Sequence, residues 1–142
     1  INPNDIKNLY YFMKQYNTDI GTLASEVKEN SILDNKNIVK VKTIKKLKKD
    51  NFVEAMNFSR NDLSKESSNV YHHIGIYCYK ISALKKFVNL EQTNNEIENR
   101  LEQLRAMDNS MQINVALAKS SPIGIDTQED YLALKKIMEY KS

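Results

Sequence analysis

The chain has 142 residues, 41% hydrophobic and 27% charged, with 21 basic against 18 acidic side chains, the profile of a globular protein about one domain long. Three Gly and two Pro leave no low-complexity linker, and no uninterrupted apolar run nears the roughly 18 residues of a membrane span. Disorder, membrane insertion and export are therefore not encoded, cytoplasm is the expected compartment, and the single cysteine, Cys78, excludes an internal disulfide or a thiolate metal cluster within one chain.

The first residues, Ile1-Asn2-Pro3-Asn4, lack an initiator Met, so the sequence reads as a possible piece of a longer polypeptide. Asn2 is placed to cap a helix, Pro3 suits its first position, and Ile6, Leu9, Tyr10 and Met13 recur at helical spacing. The pattern then shifts to Ile20-Gly21-Thr22-Leu23-Ala24, a short strand, and to a polar helix or loop reaching Asn37. Ile38 to Thr43 alternates apolar and basic residues, and Asn51 to Phe58 returns beside it after a Lys-rich turn, predicting a β-hairpin.

Val70 to Tyr79 reads as a strand, followed by helices over 81–88 and 94–108, with Ile97, Leu101 and Leu104 forming the inward stripe of the second. Ile113 to Ala118 is a further strand. Thr127-Gln128-Glu129-Asp130 has the spacing of a capping box that opens a final helix with Leu132, Leu134, Ile137 and Met138 inward. Strands alternate with helices throughout, so the class is α/β.

Three places carry candidate chemistry. In the 70–79 strand, a period of two puts Ile74, Ile76 and Cys78 on one face and Tyr71, His73, Gly75, Tyr77 and Tyr79 on the other, with Gly75 a gap where a ligand or backbone could approach. His73 is equally readable as a hydrogen-bonded core histidine. In the 94–108 segment, Glu102 and Gln103 project away from the apolar stripe, as a solvated face would. Asp126 sits just before the last helix, at the carboxyl end of an extended segment, either as a cap or as a carboxylate suited to a divalent cation.

Lys40, Lys42, Lys45, Lys46, Lys48 and Lys49 account for more than the whole basic excess. They lack neighbouring Arg and stacking aromatics and fall at a turn where solvated lysines are expected, so nucleic acid is not the expected partner. The signatures GxxxxGK[ST], GxGxxG, HExxH and GxSxG are all missing from the sequence.

Taken together, Ile1-Asn2-Pro3, Asp19 to Ala24, Asn37 to Val41, Asn57-Phe58-Ser59-Arg60, His73 to Lys80, Leu101-Glu102-Gln103-Leu104-Arg105 and Gly124 to Asp130 resemble, in order, blocks of the 3-deoxy-manno-octulosonate cytidylyltransferases, the CMP-Kdo synthetase family. The H-I-G-I-Y-x-Y, L-E-Q-L-R and G-[VI]-D-T-x-E-D blocks are specific in combination. Asn57, Asn95 and Asn99 depart from the family pattern, and its phosphate loop and Q-G-D-E-P aspartate lie upstream of Ile1.

The resemblance implies an α/β fold, a Rossmann-like nucleotidyltransferase sheet with flanking helices and a β-hairpin, incomplete at the N-terminus. Residues 1–142 would be the C-terminal part of a single cytidylyltransferase domain. It further implies transfer of CMP from CTP to the anomeric hydroxyl of Kdo, releasing pyrophosphate for lipopolysaccharide biosynthesis, with another nonulosonic or 8-amino sugar acid, or a non-catalytic remnant, as the alternatives. Asp126 matches the catalytic, magnesium-binding carboxylate, and Ser59, Arg60, His73, Tyr77 and Gln103 match positions on the sugar-acid side, Arg60 being the natural cation for the carboxylate. Mg2+ would neutralise the phosphates. The full-length protein is expected to be a homodimer, and this chain to be inactive alone.

Overall fold

A computed structural model describes residues 2–119. The final helix that the sequence predicts, with Asp126 before it, lies outside the described residues. Helix α1 spans Pro3–Gln15, and its cap is as the sequence predicts, with the Asn4 amide donating to Asn2 Oδ1 at 2.9 Å. Its inward face differs: Asp5, Leu9 and Phe12 are buried, whereas Ile6 and Tyr10 face outward. Strand β1 (Ile20–Ser25), which α1 covers, is buried at every position.

Gly21 makes that packing possible. A Cβ there would stand 2.7 Å from Met13 Sδ and 2.9 Å from both Leu9 Cδ1 and Phe52 Cζ, closer than side-chain carbons approach.

The predicted hairpin forms from β2 (Lys40–Thr43) and β3 (Phe52–Ser59), separated by short helix α2 (Asn30–Asp34) from β1. Strand β4 (Val70–Tyr79) runs antiparallel to both β1 and β2, and β5 (Ile113–Leu117) pairs parallel with β1 and antiparallel with β3. The order β1-β4-β2-β3-β5 thereby closes on itself. One apolar cluster, with Val41, Phe58, Tyr71, Phe87, Leu104 and Val115, packs against one side, and a smaller one around Leu9, Phe12, Phe52 and Ile74 lies beneath α1.

The predicted 94–108 helix is two helices, α4 (Asn94–Asn99) and α5 (Gln103–Asp108), after α3 (Ile81–Val88). Arg100 breaks it in a left-handed conformation with φ 55 and ψ 44. The cause is tertiary. Arg105 clamps Glu96 with two parallel hydrogen bonds, Nε to Oε1 at 2.8 Å and Nη2 to Oε2 at 2.6 Å. In a continuous helix residues nine apart are separated by about 13.5 Å of rise, so the pair requires the break. Glu96, Leu101 and Leu104 become the buried set, and Ile97, expected inward, is 56% exposed.

Candidate functional site

The site is built where the end of β3, the middle of β4 and the α4–α5 junction meet. On β4, Thr22 of β1 pairs with Tyr77 while the next residue, Leu23, pairs with Ile74, so Gly75 and Ile76 form a bulge. Two extra residues preserve the alternation of faces, and His73 and Tyr77 remain side by side with ring centroids 5.6 Å apart. The ring of Phe58, at the end of β3, meets His73 edge-on at 5.0 Å, and Tyr77, Tyr79 and Phe87 continue the aromatic row. Gly75 has open space where a Cβ would stand, so the gap expected between His73 and Tyr77 is filled by no other backbone.

His73 is 8% exposed, and burial first, then neighbouring His72, pushes its pKa down to about 3. It is therefore neutral near pH 7. Thr22 fixes its tautomer: the Thr22 hydroxyl lies 2.7 Å from the Ile76 carbonyl and 3.2 Å from that of Ile74, so its one proton is donated there. The same oxygen, 2.9 Å from His73 Nε2, then accepts the ring proton. Nδ1 is left as a lone-pair acceptor.

Tyr77 is held in its neutral phenol form, its pKa raised first by burial and further by Tyr79 and Glu102. Glu102 is thus an electrostatic neighbour of the aromatic row, and Gln103, the next residue, is 9% exposed, not on the solvated face that helical spacing predicts. The His73 Nδ1, the Tyr77 hydroxyl and the Gln103 amide have no hydrogen-bond partner among the described residues. They are also not sealed: the side-chain polar atom both fully enclosed and unpartnered among those residues is His72 Nδ1. Buried polar groups are normally paired, so open, unpaired groups of this kind are suited to a polyhydroxylated ligand.

Ser59 and Arg60 follow Phe58. The Ser59 hydroxyl oxygen accepts from the Asn61 amide at 3.0 Å. The Arg60 guanidinium donates to the carbonyls of Asn99 and Lys36 at 3.3 Å and of Arg100 at 3.2 Å. Three of its five N–H protons are so used, leaving two for a ligand. It lines a cavity of about 530 Å³ with Lys36, Asn37, Asn61, Glu98, Asn99 and Arg100, so cations outnumber the single carboxylate there. Arg60 is thereby tied to the turn that leads into Gln103, while Phe58, His73 and Tyr77 form an aromatic wall that does not line this cavity.

Sequence spacing misses two participants. Thr22 lies in an ordinary strand pattern, and only its pairing with β4 reveals its role. Lys40, expected in the solvated lysine cluster, is 0% exposed, and Lys42 pairs with Glu66 at 2.7 Å; of the six lysines, the four at 45, 46, 48 and 49 are exposed. Cys78 is a resting thiol, its pKa raised by burial.

No three His, Cys, Asp or Glu side chains converge as a metal-binding group among the described residues. No helix among them is long and apolar enough to cross a membrane.

A family profile described as Cytidylyltransferase matches residues 1–113. The 3-deoxy-manno-octulosonate cytidylyltransferases of Bartonella bacilliformis and Bartonella tribocorum are 36% and 37% identical over 138 residues, which is 97% of this chain. The chain spans 56% of the length of those relatives. Its fold matches a solved CMP:2-keto-3-deoxy-manno-octonic acid synthetase complexed with CTP, with a TM-score of 0.83 and 23% identity over all of this chain and 58% of that one.

Proposed function

Because the chain belongs to the cytidylyltransferase family, we propose that it forms the sugar-acid side of an enzyme that transfers CMP from CTP to Kdo. The observation that carries this reading is the set of open, unpartnered groups on the buried wall: His73 Nδ1, the Tyr77 hydroxyl and the Gln103 amide. Neutral His73 accepts a hydrogen bond from a sugar hydroxyl, Tyr77 donates one to a sugar oxygen, and Gln103 does either. Arg60, with two N–H groups remaining, meets the carboxylate; Ser59 closes the same edge.

In the reaction the anomeric oxygen forms a bond to the α-phosphorus of CTP, the bond to the bridging oxygen breaks, pyrophosphate leaves, and the hydroxyl proton passes to solvent. The residues of this wall bind and orient the nucleophile, which is the larger share of catalysis when little covalent work falls to the protein. In this reading Asp126 supplies one carboxylate to a magnesium ion, whose charge would neutralise the phosphates. The enzyme would work in the cytoplasm as a homodimer, and the exposed stripe of Ile81, Leu84 and Val88 on α3 offers apolar surface for such pairing.

Calorimetric titration of Kdo into the full-length protein loaded with CTP but without magnesium, so that no turnover occurs, tests the assignment. Saturable binding that weakens at least tenfold in Gln103→Leu is expected. Equal affinity in the variant, or preference for a nonulosonic or 8-amino acid, would contradict it.

A further inference from the structure

We propose that Lys40 is the positioning residue for Arg60, fixing from behind the strand end that presents the guanidinium to the sugar-acid carboxylate; this rests on the role of Arg60 proposed above. Lys40 opens β2, and its side chain is wholly buried. An ammonium has three protons, and three backbone carbonyls receive them: Asn35 at 2.8 Å, Ile38 at 2.7 Å, and Arg60. With every proton committed and no surface exposed, Lys40 cannot itself touch substrate, serve as a base or carry a phosphate. Its function is confined to what it holds.

What it holds is one closed circuit. Asn35 and Ile38 belong to the loop before β2, and Arg60 is the first residue beyond β3. From the far side of that loop the Arg60 head donates to the Lys36 carbonyl, and it reaches across the cavity to Asn99 and Arg100. All three of these bonds are long, at 3.2 to 3.3 Å, and long bonds hold a head group weakly. The short, charge-assisted bonds are at the other end, where Lys40 grips the main chain. The direction of the guanidinium therefore depends on the backbone anchor.

Burial disfavours the charge and lowers the Lys40 pKa, opposed by the more distant charges of Asp62 and Asp34 and reinforced by Arg60; no hydrogen bond joins the ammonium to either carboxylate, its acceptors being the three carbonyls. Across the sheet, Lys40 pairs with His72 on β4 and Ser59 on β3, neither of which offers a carboxylate. A buried lysine in such a place is justified by the carbonyls it orders. An apolar side chain would fill the volume but leave all three carbonyls unpaired.

The test uses the full-length protein with Lys40→Met and Lys40→Arg. In steady-state assays Lys40→Met should raise the Kdo KM about tenfold and leave the CTP KM within twofold, and Arg60→Lys added to it should raise the Kdo KM by no more than twofold further. A loosened fold would move both constants together, so equal rises would overturn the proposal, as would full additivity with Arg60→Lys. The independent readout is the Arg60 Nε–H resonance in 15N-labelled protein, which should be exchange-protected in the wild type and lose at least tenfold protection in Lys40→Met; an unchanged resonance would also overturn it.

Should Lys40→Met fail to fold, Lys40→Arg carries the test. Its longer, planar head must displace the Arg60 carbonyl, so the Arg60 Nε–H resonance should shift and the Kdo KM rise severalfold, and no change in either would contradict the role. Wild-type protein without turnover on CTP and Kdo would remove the functional reading, while the resonance still decides whether Lys40 positions Arg60.

Discussion

The Thr22 hydroxyl oxygen accepts a hydrogen bond from His73 Nε2–H across 2.9 Å while its own O–H donates to the Ile76 carbonyl of β4. One buried threonine thus sets the tautomer of a histidine that burial keeps neutral, leaving Nδ1 as the acceptor. Removing the hydroxyl alone tests that relationship. Thr22→Val should raise the Kdo KM about tenfold, the effect of about 1.4 kcal/mol, with the CTP KM unchanged, as measured by initial rates with each substrate varied.

His73 also fixes a stability trend. Its pKa is about 3 in the folded chain and about 6.5 when unfolded, so between those values the unfolded state binds more protons. Stability is full above pH 6.5 and falls as the pH drops towards 3, by up to about 1.4 kcal/mol per pH unit. His72, also lowered by burial and by Lys40, acts in the same direction. Urea midpoints at pH 7.0 and 5.0 should separate in the wild type and draw together in His73→Gln; an equal separation in the variant would show that His73 does not carry the trend.

Gly21→Ala should destabilise the chain by about 1–3 kcal/mol, because the added carbon meets Leu9, Met13 and Phe52 inside contact distance. Denaturant unfolding would read this as a lower midpoint with an unchanged slope, whereas a wild-type midpoint would show that α1 can shift away at little cost.

The Glu96–Arg105 clamp is largely buried and bidentate, and Arg105 also lies over the Phe87 ring at 4.8 Å. Arg105→Leu leaves Glu96 uncompensated and should cost about 3 kcal/mol, again measured by unfolding. Hydrogen exchange of α4 and α5 should rise ahead of the rest of the chain; uniform exchange would mean that the clamp does not hold the turn.

The Asp126 role gives a prediction in the full-length protein: Asp126→Asn should lose at least a hundredfold in kcat with unfolding behaviour unchanged. Activity near wild type would make Asp126 a helix cap.

Much of this architecture is legible in the sequence where the signal is local. The Asn2 cap, the hairpin and the two faces of β4 follow from spacing of a few residues, and His73 and Tyr77 do share a wall beside Gly75. What is hidden depends on partners far along the chain. Helical periodicity runs unbroken through Arg100, but Glu96 meets Arg105, and that tertiary pair overrides propensity. Alternation places Lys40 with the solvated lysines, yet its acceptors come from the preceding loop and from Arg60, twenty residues on. The aromatic wall was readable in part because a strand's two faces alternate in sequence, whereas the Arg60 anchor is a matter of backbone carbonyls, which no side-chain pattern encodes.

The measurement that bears most directly on the account is CTP- and magnesium-dependent pyrophosphate release by the full-length protein, with Kdo compared against a nonulosonic and an 8-amino sugar acid at equal concentration. Release with Kdo at least tenfold faster than with either rival is predicted. Faster release with a rival acid, or none with any of the three, would contradict it.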